Sequence, residues 1–168
     1  VELTLGTFVV ALLIAFPAGI LAAVRRGTAL DYTSTFVALG GMSIPSFWLA
    51  MMSIIYFSVK LGWLPASGYV PFSDNPAQNL LAMILPCLAT GLRESAVLMR
   101  MLRSSLLEVV NMDFVRTAKA KGLNEVRTIL GHVLRNAMIP VVTTSGLMIA
   151  GLLGGLVITE SIFSIPGF

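Results

Sequence analysis

Charge is scarce in this 168-residue chain. Asp, Glu, Lys and Arg make up only 11% of it, against about 25% in an ordinary soluble domain. With 57% hydrophobic residues and a mean hydropathy of +0.91, it carries more apolar surface than a core of this size can hide. A bilayer is the solvent that fits. Cysteine is nearly absent: the single Cys87 sits inside an apolar run, can close no disulfide within the chain, and reads as a small buried hydrophobe. The one histidine, His132, has no Cys, Asp or Glu at ligand spacing and no Ser partner inside a span. A metal site and an intramembrane serine protease are therefore not expected. No G-x-x-x-x-G-K-[ST] sequence occurs, so any ATP must bind on a different polypeptide. The expectation is a non-enzyme without cofactor.

What is present is a set of long uncharged runs. Residues 3–24 form the first, long enough for the roughly 20 residues that cross a bilayer core. Leu3–Val24 is too long, and lacks the basic start and cleavage site, for a signal peptide. With Val1 in first place, the expectation is a piece of a longer protein with at least one further span upstream. Residues 32–60, 80–102 and 136–159 give three more spans. Ile44-Pro45-Ser46-Phe47-Trp48 is a place where the second could split into a short interfacial piece and the span proper. Ser46, Ser53 and Ser58 read as helix-packing or backbone-bonding groups, and Gly151 and Gly155, with Ala150 and Gly154 beside them, as a small-residue packing face or a hinge. The fold class expected is all-α, a polytopic membrane helix bundle of about four spans spread over residues 1–168.

Orientation follows from the sparse charges. The net charge of +3 comes from basic residues beside the spans, which fits the positive-inside bias better than nucleic-acid binding. Arg25 and Arg26 occupy one short loop, and Arg103, Arg116, Lys119, Lys121, Arg127 and Arg135 the segment 103–135. The loop 62–79, rich in Pro, Gly, Ser and Asn, and the tail 160–168 hold no Lys or Arg. Both basic segments are therefore expected on the cytoplasmic side, with Trp63 and Tyr69 in the opposite interfacial belt.

The segment 103–135 is the one dense polar stretch. Leu107, Val110, Phe114 and Ala118 recur at offsets of three and four, which predicts one apolar helical face. Gly122 suits a helix stop that needs positive φ. Asn124 can cap a following helix, with Glu125 favourable at its positive end. Helix, glycine break, helix is the expectation: a knuckle that docks on a soluble partner, or an amphipathic hairpin lying on lipid.

The run MDFVRTAKAKGLNEVRTILGHVLRNAMIPVVT resembles the cytoplasmic signature of ABC-transporter inner-membrane permeases, in the version of the dipeptide/oligopeptide and nickel importer family. Arg116-Thr117-Ala118 stands where the generic E-A-A-x-x-x-G pattern begins, and Gly122 at its glycine. Arg116 departs from the generic Glu, and the downstream proline arrives late, at Pro140. Arg103-Ser-Ser-Leu-Leu-Glu108, Ile44-Pro-Ser-Phe-Trp48 and Glu160-Ser-Ile-Phe-Ser-Ile-Pro-Gly167 are similar to the same family, in the same order.

The resemblance implies a permease subunit of an ATP-driven importer in a bacterial or archaeal inner membrane, moving di- or oligopeptides or a related solute by alternating access. Its implied partners are a second homologous permease, cytoplasmic ATPase subunits and an extracytoplasmic solute-binding protein. The coupling residues would be Asp113, Phe114, Arg116, Thr117, Ala118, Lys119, Lys121 and Gly122, with Phe114 an apolar plug. Arg93 and Glu94 lie about 10 Å inside the end marked by Arg100. Charges at that depth suit a water-filled path, or an interface if the span ends early. The reading from another class is a membrane scaffold or channel subunit with a lipid-binding basic loop. A channel would want a polar ring along a span and a secondary transporter ionisable groups near mid-membrane; Pro45 and Glu94 lend these little.

Overall fold

The computed structural model describes residues 1–167; Phe168 and the side chains of Lys119, Glu125 and Val126 lie outside the described residues. Among the described residues the secondary structure is helical throughout. The helices are α1 (Glu2–Val24), α2 (Ala29–Ser43), α3 (Ser46–Lys60), α4 (Pro76–Val109), α5 (Asp113–Ala120), α6 (Glu125–Thr128), α7 (Ile129–Leu153) and α8 (Val157–Phe163). Helices α1, α4 and α7 are each long and apolar enough to cross a membrane, and the bent pair α2–α3 brings the total to as many as four. The chain is an all-α, multi-pass bundle.

Helix α4 is its axis, packed by α1, α2, α3, α7 and α8. Asn75 starts it, its Oδ1 accepting the Gln78 N–H at 3.1 Å, with Pro76 in the first turn where a missing N–H costs nothing. No Gly or Pro occurs between Gly91 and Gly122, so nothing stops the helix at Leu102. It runs 34 residues, about 51 Å, against the roughly 30 Å of hydrocarbon. The helix thus extends past the expected span 80–102 at both ends, and Arg103–Val109 continues the helix rather than opening a loop.

Against α4 lies a stripe of small residues on α1. Thr4, Thr7, Ala11, Ala15, Gly19 and Ala22 are all buried, at the three- and four-residue steps that share a helical face. Contact is close enough that a Cβ is crowded at Gly6, Gly19 and Gly91. A Cβ on Gly91 would lie 2.7 Å from Val10 Cγ1 and 3.1 Å from the Thr7 carbonyl, and one on Gly19 would lie 3.1 Å from the Met99 carbonyl. Small residues at an interface let two backbones approach, which is how helices gain packing where lipid supplies no hydrophobic contrast. The glycines singled out from the sequence behave differently. Gly151 has open space around its Cβ position, and Gly155, at φ +124, lies just past Gly154, which caps the last long helix.

The second span breaks within residues 44–48, where a split was expected, while the fourth helix departs from the expected 136–159. Pro45 forces Ile44 into extended backbone (ψ 126), as the residue before a proline prefers. The chain turns 95° between α2 and α3. Helix α7 begins earlier than expected, at Ile129, and stops at Leu153. The tail does not leave the bundle: α8 folds back on α3 and α4. Its Thr159 hydroxyl lies 3.3 Å from that of Thr90, both buried, and the Gly68 N–H donates to the Phe163 carbonyl at 2.9 Å. At the same end Glu2 accepts hydrogen bonds from Asn79 at 2.9 Å and from the Tyr69 hydroxyl at 3.1 Å. The basic segments gather at the opposite end.

Gly91→Leu should separate α1 from α4 at an overpacking cost of about 1–3 kcal/mol, read as a lowered unfolding temperature of the purified chain in detergent. Gly151→Leu, facing open space, is the matched control and should leave that temperature unchanged. Equal behaviour of the two would refute the close-packed seam.

Candidate functional site

At the basic end the chain forms the expected helix, break and helix. Helix α4 stops at Val109, with the Asn111 side chain donating to the Leu107 carbonyl at 2.8 Å. Helix α5 follows and closes on Gly122 at φ +82, a backbone state that a Cβ disfavours. Asn124 Oδ1 then accepts the Arg127 N–H at 2.8 Å, capping the run that continues through α6 into α7. The favourable placement foreseen for the Glu125 side chain lies outside the described residues. The first five residues of α7, Ile129–Val133, are π-helical, a geometry found mostly at functional positions.

The knuckle is anchored by a different face from the one predicted. Leu107 and Val110 belong to the end of α4, not to α5, so they cannot share a helical face with Phe114 and Ala118. Instead Val115 and Ala118 are buried. Val115 joins Leu102, Leu106 and Val109 of α4 and Val133, Ala137 and Val141 of α7 in one cluster. Phe114 faces outward, 38% exposed, beside the equally open Met112. Asp113, Arg116, Thr117, Lys121 and Gly122 are exposed around them. Arg116 and Asp113 face each other at 3.5 Å with most of their surface in solvent, so the pair adds little stability and both charges stay available. Of the residues singled out from sequence, the fold therefore brings Asp113, Phe114, Arg116, Thr117, Lys121 and Gly122 together on one exposed knuckle. Ala118 turns inward to anchor it. The Lys119 side chain lies outside the described residues.

Arg93 and Glu94 are nowhere near it. They sit at the midpoint of α4, with Arg93 Nη1 3.5 Å from Glu94 Oε1 and side chains 54% and 17% exposed. The helix continues sixteen residues beyond Arg93 to Val109. An apolar groove of about 590 Å³ between α1, α2 and α4 opens on the neighbouring Leu92 and Ser95.

Two polar fastenings at the base of the knuckle were not foreseen. Asp31, 3% exposed, accepts Arg103 Nε at 2.6 Å and Arg103 Nη2 at 2.8 Å, and the Gly27 N–H at 3.0 Å. Two residues on, the buried Ser105 hydroxyl donates to the Ala137 carbonyl of α7 at 2.9 Å. The signal was there in part. Asp31 is the one acidic residue between Glu2 and Asp74, five positions after Arg26. Its partner 72 residues away could not be read from spacing.

Comparison with known proteins bears on this geometry. Residues 15–168 match the family described as binding-protein-dependent transport system inner membrane component. A Brucella suis protein described as a peptide transport system permease protein is 42% identical over 167 residues, covering 99% of this chain and 53% of that protein. Dipeptide transport system permease protein DppB of Escherichia coli K12 is 42% identical over 189 residues, covering 99% of this chain and 56% of its own length. DppB of Alkalihalophilus pseudofirmus is 40% identical over 191 residues, with the same coverages. The chain spans about half the length of the curated relatives it matches.

Removing one partner of the Asp31–Arg103 pair should weaken the bundle. Asp31 is covered by those same partners at the edge of the bundle, so removing Arg103 readmits water and the cost is that of the lost charge-assisted hydrogen bonds, about 1.5–3 kcal/mol. Denaturant unfolding of Arg103→Ala in detergent measures this. The exposed Arg116→Ala should leave unfolding unmoved; a reversed order would contradict the assignment.

Proposed function

This chain belongs to the family of binding-protein-dependent transport system inner membrane components, and from that premise we propose that it is the transmembrane core of one permease subunit of an ATP-driven ABC importer. Its proposed cargo is di- or oligopeptides, the solute class in the names of its relatives. A second homologous permease, cytoplasmic ATPase subunits and an extracytoplasmic solute-binding protein complete the machine. The membrane is the bacterial or archaeal inner membrane, and the chain itself performs no covalent chemistry.

The knuckle is the proposed coupling element. Asp113, Phe114, Arg116, Thr117, Lys121 and Gly122 form its outward surface, while Lys119 joins them on sequence alone. The observation that carries this reading is the division of labour on α5. Of its buried residues, Val115 is used up against α4 and α7, and Ala118 is also turned away from solvent. What remains outside is one aromatic ring among charges of both signs. A helix that rests on lipid needs the reverse, a wide apolar face turned outward. A protein cleft that takes Phe114 and pairs the surrounding charges suits the observed surface, and aromatic anchors of that kind carry much of an interface's energy. The lipid-binding scaffold is correspondingly disfavoured.

Mechanically, nucleotide-driven closure of two ATPase subunits would carry the knuckles together. The motion enters the bundle through α4 and through the π-helical start of α7, the two elements that bracket the knuckle. Inward- and outward-facing arrangements must lie close in energy for nucleotide and cargo to shift the balance. Arg93 and Glu94, paired at the midpoint of α4, are the proposed polar contact of the translocation path, where a zwitterionic peptide presents charges of both signs.

Phe114→Asp should leave the permease in the membrane and weaken ATPase binding by about 30-fold, the equivalent of the about 2 kcal/mol typical of a buried aromatic anchor. Gly122→Val should open the knuckle through a backbone strain of about 1–2 kcal/mol and lower uptake per ATP hydrolysed. Pull-down of the ATPase subunits on the permease and uptake in proteoliposomes measure the two. Full ATPase retention by Phe114→Asp, with coupled uptake by Gly122→Val, would dismiss this surface as the coupling site.

A further inference from the structure

The Asp31–Arg103 fork is built more firmly than a chance surface pair. Its carboxylate takes three donors, two from one guanidinium and one from the Gly27 backbone. Gly27 stands at φ +76, which turns the chain between α1 and α2 so that its N–H points back at Asp31. Paired Nε and Nη2 bonds are a planar fork that lysine cannot reproduce. Apolar packing is non-directional and tolerates sliding, whereas such a fork fixes distance and angle together.

Its position gives that rigidity a use. Arg103 lies six residues before the end of α4, about 9 Å along the axis, and the knuckle hangs from that end. Ser105, on the same stretch, holds α7 through the Ala137 carbonyl. Asp31 opens α2, whose far end is the 95° elbow into α3. Alongside α2 lies the groove of about 590 Å³ lined by its Thr33, Val37 and Gly41 and by Leu92 and Met99 of α4. Among the described residues the fork is the one ion pair that joins two helices.

We propose that Asp31 and Arg103 are positioning residues of the transport cycle: their fork locks α2 to the knuckle-bearing end of α4, so that displacement of the knuckle swings α2 and its elbow as one lever. This rests on the coupling role proposed for the knuckle. The fork does not touch cargo or nucleotide; it transmits motion. Helix α2 and the cytoplasmic half of α4 then keep one mutual geometry through the cycle, and the groove between them does not open or shut.

Paired spin labels test this in the assembled transporter. Cysteines replace the exposed Val37 of α2 and Arg100 of α4 in a Cys87→Ser background, and the permease is reconstituted with its ATPase subunits in nanodiscs. Interspin distances are compared without nucleotide and with ATP and vanadate. The expected result is one narrow distance in both states, and in Arg103→Lys a broadened distance that shifts with nucleotide, with uptake per ATP hydrolysed falling several-fold. Asp31→Asn, isosteric and able to keep the Gly27 bond, is read in the same way should Arg103→Lys fail to assemble. An unmutated fork whose distance changes between states overturns the lever alone, and so does an assembled fork variant with unchanged distance and coupling. If the ATPase subunits do not bind the permease with an intact fork, the coupling role fails first and the lever with it.

Discussion

A single helix longer than the membrane is thick governs this architecture. Thirty residues from Leu92 to Lys121 without glycine or proline let α4 cross the hydrocarbon and keep going, to a total of 34 residues. Its surplus length, roughly 20 Å at 1.5 Å per residue, leaves the knuckle on a rigid helical stem. A loop in the same place would absorb a push; a helix passes it on. That physical difference suits the coupling role proposed for the polar end of the chain.

The rest of the bundle serves that stem. On one side α1 presents Thr7, Ala11, Ala15 and Gly19, small enough for the backbones to meet. At the base of the knuckle the grip changes from shape to polarity, with Arg103 forked to Asp31 and Ser105 bonded to Ala137. The change suits the surroundings. Within hydrocarbon a polar bond is costly to leave unmade, while near the interface it adds the direction that apolar contact lacks. Charge is therefore rare here and concentrated where a fixed angle matters.

The outer end is closed by different means. Helix α8 returns to α3 and α4, and Tyr69 and Asn79 meet Glu2, tying the polar loop to the start of α1. The two ends are thus chemically unlike: a closed, cation-poor cap on one side and an exposed, cation-rich knuckle on the other. This asymmetry agrees with the positive-inside bias, and the family to which the chain belongs supplies a reason for it, since its members serve as inner-membrane components of transport systems.

Composition and spacing alone determined the class of the molecule, because hydrocarbon admits few charges and needs about 20 apolar residues to cross. They also determined the glycine stop at Gly122 and the cap at Asn124, since both are local backbone preferences that neighbouring residues decide. The run from Arg103 to Arg135 could be read as the one dense polar segment from its composition. Tertiary structure decided everything that depends on a distant partner. Helix ends moved because 80–102 and 136–159 were drawn at charges, whereas helices end at Gly154, at turns and at prolines. The face of α5 that is buried turned on where α4 and α7 stand, so Val115 took the place expected of Phe114. Asp31 found Arg103 across 72 residues, a pairing no periodicity encodes, because only the closeness of α2 to α4 in space brings a lone acid under a guanidinium.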